Sequence, residues 1–532
     1  MAIVPNTQTG SLTDHDDGSN DTLISFTFLF GDAYWMFDHS RGGNDTMIGG
    51  DYSPQNILWG DASLMQDDSR GGNDTLTGGI SSDNLLYGDA GLMLGRAIGG
   101  NDTLTGGDGA TNNLYGDAAE MHDSTRGGND VLTGGNNSLN NLFGDAYFMD
   151  GNSHGGNDSL NGGRGLFLST PSVVVYGDAF EMRGHAHGGN DTLTTDLSLH
   201  AVLYGDAYTM ADDSSGGDDV LTVVSVGTDD LFGDAFEMHD RARGGDDQLS
   251  SSPGTLVVNH LYGDARVMDG DSRGGNDSLQ AGGVGPNTLY GDAFEMHDRA
   301  RGGDDTLTAG GARGTGLYGD AFLMSDDTRG GDDTLTAGGG FSAAFAYGDA
   351  STMEGNSRGG NDTLTGGFNT VLLGDAEAMH GNSRGGDDTL TGGDNSGSSA
   401  PNVLIGDART MDGNSRGGDD TLVSGAGTNV MWGDAQFING VAASPTAPTG
   451  TVVTGADTFV FGPGSGDDDI RDFRQSDHDR IDVRAYGFHD IADMTISGDG
   501  ANTTIAFDAT DSVTLVGFAD PSILHASDFI FA

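Results

Sequence analysis

The chain of 532 residues is a tandem repeat. The triplet Gly-Asp-Ala recurs fifteen times, with glycines at 31, 60, 88, 116, 144, 177, 205, 233, 263, 291, 319, 348, 374, 406 and 433, at spacings that cluster at 28. After each of the first fourteen, a Gly-Gly pair follows eleven residues later, from Gly42 to Gly417, without one insertion. An aspartate sits three residues beyond the first glycine of every pair, and a methionine five residues after every Gly-Asp-Ala glycine except the last, where Ile438 stands. Length varies only between the Thr-Leu-Thr segment and the next Gly-Asp-Ala, which marks an exposed loop there and fixed geometry elsewhere. A period this long is the signature of units that cannot bury a core alone and must stack.

Each repeat holds two short strands. Gly-Gly-Asn-Asp-Thr-Leu-Thr, as at Gly71–Thr77, is a turn followed by an alternating strand whose central leucine points inward. That column runs Leu23, Met47, Leu76, Leu104 and on to Leu422. The second strand precedes Gly-Asp-Ala, as in Asn84-Leu85-Leu86-Tyr87, with an inward column of Leu58, Leu86, Leu114, Leu142, Val175 and Leu203. The residue before Gly-Asp-Ala is aromatic in thirteen of fifteen copies. The expected fold is all-β: a parallel β-solenoid, β-roll-like, of about fifteen 28-residue coils stacked at ~4.8 Å per rung. Residues 1–30 read as a cap with a degenerate half-repeat (Asp17-Gly-Ser-Asn-Asp21-Thr-Leu23), 31–438 as the solenoid, 439–454 as a linker, and 455–532 as a small β-rich C-terminal domain.

Charge decides whether such a chain can fold at all. Acidic residues number 81 and basic residues 22, every one of them arginine, for a net charge of −59. Self-repulsion opposes compaction, and 94 glycines raise the entropy lost on folding. The outcome is disorder or neutralisation by bound cations. Nucleic acid is excluded as a partner, because a phosphate backbone would be repelled. No cysteine is present, so disulfides and thiolate metal sites are impossible. No apolar run approaches the roughly 18 residues of a membrane span, and the first ten residues lack the basic and apolar regions of a signal peptide.

The placement of the acids points to a cation. Stacking puts Asp45, Asp74, Asp102, Asp130, Asp158, Asp191, Asp219, Asp247, Asp277, Asp305, Asp333, Asp362, Asp388 and Asp420 in one column. Carboxylates ~4.8 Å apart repel by about 1 kcal/mol even in water. A hard dication between rungs reverses the sign, and calcium accepts 6–8 oxygens at roughly 2.3–2.6 Å from flexible loops. The Gly-Asp-Ala aspartates, Asp32, Asp61, Asp89, Asp117, Asp145, Asp178, Asp206, Asp234, Asp264, Asp292, Asp320, Asp349, Asp375 and Asp407, have two readings. They are second calcium ligands, or they cap a helical turn, as Asp-Ala-Phe-Glu at 178–181, 234–237 and 292–295 suggests. Rungs are too close for a helix about 10 Å thick on every coil, so the expectation is one tight turn or an extended flap.

These motifs resemble the glycine-aspartate nonapeptides of RTX (repeats-in-toxin, haemolysin-type) proteins, over residues 15–435 or so. The resemblance implies calcium-filled β-rolls and export by a type I secretion system. Here one turn is expanded to about fifteen residues, and the opposite turn carries Asn56, Asn84, Asn112, Asn140, Asn259, Asn287, Asn402 and Asn429 in place of aspartate. Calcium is therefore expected on one edge only, about one ion per coil, with the asparagines bonding to backbone instead. The segments Gly455–Phe461, Ile470–Phe473 and Asp528–Ala532 resemble the C-terminal region of serralysin-type proteins, which implies an uncleaved signal for a type I exporter. No protease activity transfers: no His-Glu-x-x-His is present.

The methionine column is expected to pack inward. Arginine precedes Gly-Gly in ten of fourteen copies (Arg41, Arg70, Arg126, Arg243, Arg273, Arg301, Arg329, Arg358, Arg384, Arg416), where pairing with nearby aspartates is expected and a polyanion strip is disfavoured by the surrounding negative charge. No nucleophile–base constellation or phosphate loop stands out, so no enzyme is expected. The leading expectation is a secreted, extracellular or cell-surface calcium-binding solenoid with a structural role, self-associating into filaments or a surface layer. The alternatives are an adhesin for cell-surface polysaccharide using exposed aromatics, and an ice-binding solenoid using the Thr-x-Thr face of Thr75/Thr77, Thr103/Thr105, Thr192/Thr194, Thr306/Thr308, Thr334/Thr336, Thr363/Thr365 and Thr389/Thr391.

Overall fold

A computed structural model describes residues 10–25, 27–164, 172–225, 227–251, 258–282, 285–310, 314–339, 343–395 and 400–532. The chain is nearly all β, with 45% of residues in strand, wound into a parallel β-solenoid of about 14 turns. It falls into two compact units, Met1–Gly275 and Asn276–Ala532. Both are built to one plan.

Each coil contributes three strands to three parallel sheets. The threonine sheet stacks Thr75–Thr77, Thr103–Thr105 and Val131–Thr133 in the first unit, and Thr306–Ala309, Thr334–Ala337, Thr363–Gly366 and Thr389–Thr391 in the second. The aromatic sheet stacks Asp83–Tyr87, Thr111–Tyr115 and Leu139–Phe143, and Ala344–Tyr347, Thr370–Leu373 and Asn402–Ile405. The third sheet is the expanded turn itself. Its strands Ala62–Met65, Ala90–Met93 and Ala118–Met121, and likewise Ala321–Met324, Ala350–Met353 and Ala376–Met379, pair in register from coil to coil. The Ala-Phe-Glu-Met segments at 179–182, 235–238 and 293–296 are strands, so the helical-turn reading of the aspartates before them falls. The reason is the rung spacing: a strand satisfies its backbone groups on the coils above and below, which a helical turn of that thickness cannot do.

The methionines are a core. Met65, Met93, Met121, Met210, Met238, Met324, Met353 and Met379 are all fully buried, together with the alanine that opens each strand. We expect Met210→Ala to lose about 2–5 kcal/mol of stability, the range of large-to-small core substitutions, measured by denaturant melts of the folded chain; a loss below ~0.5 kcal/mol would mean that the column carries no packing energy. The leucine columns of the other two sheets are equally buried.

The asparagine edge forms a ladder over four successive coils. The Nδ2 of Asn56 donates to Oδ1 of Asn84, Asn84 to Asn112, and Asn112 to Asn140, each at 2.8 Å. Asn84 also donates to the Gly79 carbonyl at 2.9 Å and accepts from the Gly79 N–H at 2.9 Å. On these four coils donors and acceptors are matched without charge, whereas farther along Val173 and Ala201 take the place of asparagine and Asp229 sets a buried carboxylate on the same edge.

The aromatic rings before Gly-Asp-Ala stack face to face along the sheet. Tyr87, Tyr115, Phe143, Tyr176, Tyr204, Phe232 and Tyr262 follow one another with centroids 4.7–5.0 Å apart. A second stack, Tyr147–Phe180–Tyr208–Phe236, meets the first edge-on. The ring faces are consumed by neighbours, leaving edges outward.

Residues 455–532 extend the same sheets. Thr421 pairs with Thr458, Thr458 with Arg480, and Ile481 with Phe529 on the threonine sheet. On the aromatic sheet Val430 pairs with Asp469, and Asp467 with Ser512, before an antiparallel hairpin and return complete the layer. Residues 439–454 are a widened loop of one coil, whose Val441–Ala442 turns back on Phe437–Ile438 and whose Val453 bridges Arg416. At the other end, Thr22–Ser25 of the half-repeat pairs with Thr46–Gly49.

Candidate metal centre

Every coil is pinched where two glycine corners meet. The Gly-Asp-Ala corner lies between the aromatic and methionine strands, and the Gly-Gly-x-Asp corner just before the threonine strand. The pinch is close: a Cβ added to Gly88 would lie 2.2 Å from Oδ2 of Asp102 and 1.7 Å from the carbonyl oxygen of Gly116 on the next coil. A Cβ on Gly99 would lie 1.8 Å from Oδ1 of Asp117 and 2.5 Å from Oδ2 of Asp89. Only glycine fits, and the two aspartate columns therefore line one shared waist. The waist separates the leucine-filled compartment from the methionine-filled one.

The first column is held by backbone. Oδ1 of Asp74 accepts from the Asp45 N–H at 2.6 Å, Asp102 from Asp74 at 2.6 Å, and Asp130 from Asp102 at 2.6 Å. In the second unit Asp362 accepts from Asp333 at 2.7 Å, Asp388 from Asp362 at 2.7 Å, and Asp420 from Asp388 at 2.8 Å. The second column reaches across the waist. Asp61 accepts from the Gly72 N–H at 2.9 Å, Asp117 from Gly128 at 2.9 Å, Asp349 from Gly360 at 2.8 Å, and Asp407 from Gly418 at 2.7 Å. In most of these bonds one carboxylate oxygen accepts; Asp89 and Asp117 present both oxygens to one N–H. No donor reaches the buried Oδ2 of Asp74, Asp102, Asp130, Asp158, Asp191 and Asp219 in one unit, or of Asp333, Asp362, Asp388 and Asp420 in the other. The same holds for Oδ2 of Asp145, Asp178, Asp206 and Asp234, and of Asp320, Asp349, Asp375 and Asp407.

A buried carboxylate without a counter-charge is strongly disfavoured. Burial, reinforced by neighbouring carboxylates, pushes the pKa of Asp102, Asp117, Asp158, Asp333 and Asp388 well above the carboxylate range. Burial raises Asp74 to about 9, Asp45, Asp320 and Asp375 to about 7, and Asp206 to about 6. Successive members of the second column, such as Asp61 with Asp89 and Asp117 with Asp145, stand within hydrogen-bonding reach of each other. Two carboxyl groups hold that contact only with a proton or a cation between them.

The end of the stack supplies a cation from the chain itself. Beyond Asp434 and Asp457, Asp472 accepts from the Gly433 N–H at 2.9 Å and Asp479 from the Asp457 N–H at 3.2 Å, so both columns gain a rung. Into this rung comes Arg474, whose Nη1 lies 3.1 Å from Oδ2 of Asp434, with side chains only 3% and 1% exposed. The guanidinium shows what the waist accepts: positive charge among oxygens. The sequence reading missed these four acids. Thr454-Gly455-Ala456-Asp457-Thr458 is a legible variant of Gly-Gly-Asn-Asp-Thr, whereas Asp472 and Asp479 have no repeat around them.

The residues present fit a hard cation. All donors are oxygen: paired carboxylates on facing columns, with glycine carbonyls alongside. Among the described residues no three His, Cys, Asp or Glu side chains converge on one point, so backbone oxygens would have to complete any shell. Against models of protein families, the curated proteins and the solved structures, the chain finds no match.

The repeat arginines depart from expectation. Arg301, Arg329, Arg358, Arg384 and Arg416 are exposed, and among the described residues none of the ten lies within 4 Å of a carboxylate. The arginines that do pair are outside the column: Arg96 with Asp68, Arg183 with Glu181 and Arg241 with Asp213.

Proposed function

We propose that this is a secreted calcium-binding solenoid whose folding is driven by calcium outside the cell, and which serves a structural or cell-surface role. The observation that carries the reading is the waist: two facing columns of buried aspartates, in which many, such as Asp102, Asp158, Asp333 and Asp388, have an oxygen no donor reaches, closed at one end by a buried arginine. Asp45 to Asp420 and Asp32 to Asp407 would hold the ions, about one per coil. Calcium supplies there the positive charge that makes carboxylate burial favourable. Export through a type I system belongs to the proposal and is supported by the resemblance in residues 455–532.

In a chelator at neutral pH the chain should show a random-coil spectrum, and millimolar calcium should convert it to a β-rich one, because a site absent from the unfolded chain makes binding energy folding energy. A fully β-rich spectrum in chelator at about pH 8 would overturn the reading. Magnesium should substitute poorly, since it resists dehydration and demands an octahedron.

A further inference from the structure

We propose that the arginine column of the second unit is a binding strip for a linear polyanionic polysaccharide carrying about one carboxylate or sulfate per sugar. Backbone bridges link Arg301 to Arg329, Arg329 to Arg358, Arg358 to Arg384, and Arg384 to Arg416, so five guanidinium groups rise on consecutive coils without interruption. All five are exposed, and none forms an ion pair among the described residues. Arg301, Arg329, Arg358 and Arg384 border a groove of about 300 Å³, shared with Asp327, Asn356 and Asn382. A side-chain ladder runs along it: Asn356 donates to Asp327 at 2.9 Å and Asn382 to Asn356 at 3.0 Å, and Asn414 continues the ladder to Asn382 at 3.1 Å.

The electrostatics make the column unusual. Like charges at the ~4.8 Å rung spacing repel by about 1 kcal/mol per neighbouring pair in water. A chain with 81 acids has ample means to pair its arginines, and pairs those at 96, 183 and 241. Five in a row left unpaired match an external anion of similar charge spacing. Guanidinium suits it, offering bidentate donors to carboxylate and sulfate. The column is one residue wide and flanked by exposed acids at Asp304, Asp332, Asp387 and Asp419. A thin single chain fits between such flanks, and a wide, densely charged duplex does not. Most of the −59 formal charge sits elsewhere, and the waist aspartates cease to contribute once neutralised.

This strip lies outside the waist and does not depend on which cation fills it. Its test uses the full chain in saturating calcium, with β structure verified by circular dichroism in the same sample, and chondroitin sulfate as the probe against neutral dextran. The wild type should bind chondroitin sulfate, more weakly as salt rises, and not dextran. The triple variant Arg329→Gln/Arg358→Gln/Arg384→Gln should bind at least tenfold more weakly. The charge-matched triple Arg96→Gln/Arg183→Gln/Arg241→Gln should bind as the wild type does. Replacement of the same three strip residues by lysine should retain much of the binding and guards against misfolding of the glutamine variant. Absence of wild-type binding at physiological salt, or equal loss in the two glutamine triples, would overturn the proposal.

Discussion

Stripped of divalent cations, the chain should be folded in mild acid and unfolded at mildly alkaline pH. The waist aspartates have their folded-state pKa raised by burial: Asp206 to about 6, Asp320 and Asp375 to about 7, and Asp74 to about 9. Their unfolded value is near 3.9. Below that value both states hold the proton and nothing is lost. As pH climbs, the unfolded chain releases protons that the folded chain keeps, so stability falls through the window from about 4 to 9. Each proton withheld steepens the fall by about 1.4 kcal/mol per pH unit, and more than twenty carboxyls share the waist. Circular dichroism of resin-stripped protein should show β structure at about pH 4.5 and coil at about pH 8. In calcium the slope should reverse, since a cation needs the ionised carboxylate. A stripped chain equally folded at both pH values would show that these carboxyls do not control folding.

The second large effect comes from one missing hydrogen. Alanine at Gly116 would place a Cβ 1.6 Å from the Gly144 carbonyl oxygen and 2.2 Å from Oδ2 of Asp130. Backbone on one side and an anchored carboxylate on the other leave no direction of relief. Gly116→Ala should therefore lose more than the ~1–3 kcal/mol of ordinary overpacking and prevent its coil from closing. Gly462→Ala, whose added Cβ meets only the Ala485 methyl at 3.6 Å, is the control and should change stability by less than ~0.5 kcal/mol. Thermal melts in calcium compare the two, and similar melting temperatures would refute the pinched waist.

The repeat made much of this legible beforehand. A fixed period is a statement about translation: whatever residue recurs every 28 positions must stack on its own copy. That the leucines, the methionines and the aspartates each form columns follows from that alone. Periodicity is silent about distances within one coil. It could not show that the two aspartate columns face each other across a waist, because that depends on the path of the chain between residues thirteen apart. Nor could it decide the Ala-Phe-Glu-Met segment, where four residues suit a capped turn or a strand equally and the hydrogen bonds of neighbouring coils settle the matter.

Charge proximity in sequence misled in one place. Arg329 stands beside Asp327 and Asp332 in sequence, yet forms no ion pair among the described residues, although Asp327 borders the same groove. Arg474 shows the reverse. It reads as an isolated basic residue in a non-repetitive segment, and only the closed last coil brings it onto Asp434, 40 positions earlier. The amino-acid order by itself determined which residues lie above one another, because stacking repeats the period. Tertiary structure alone decided which columns confront one another and which face water, because those relations are set by how each turn closes around two separate cores.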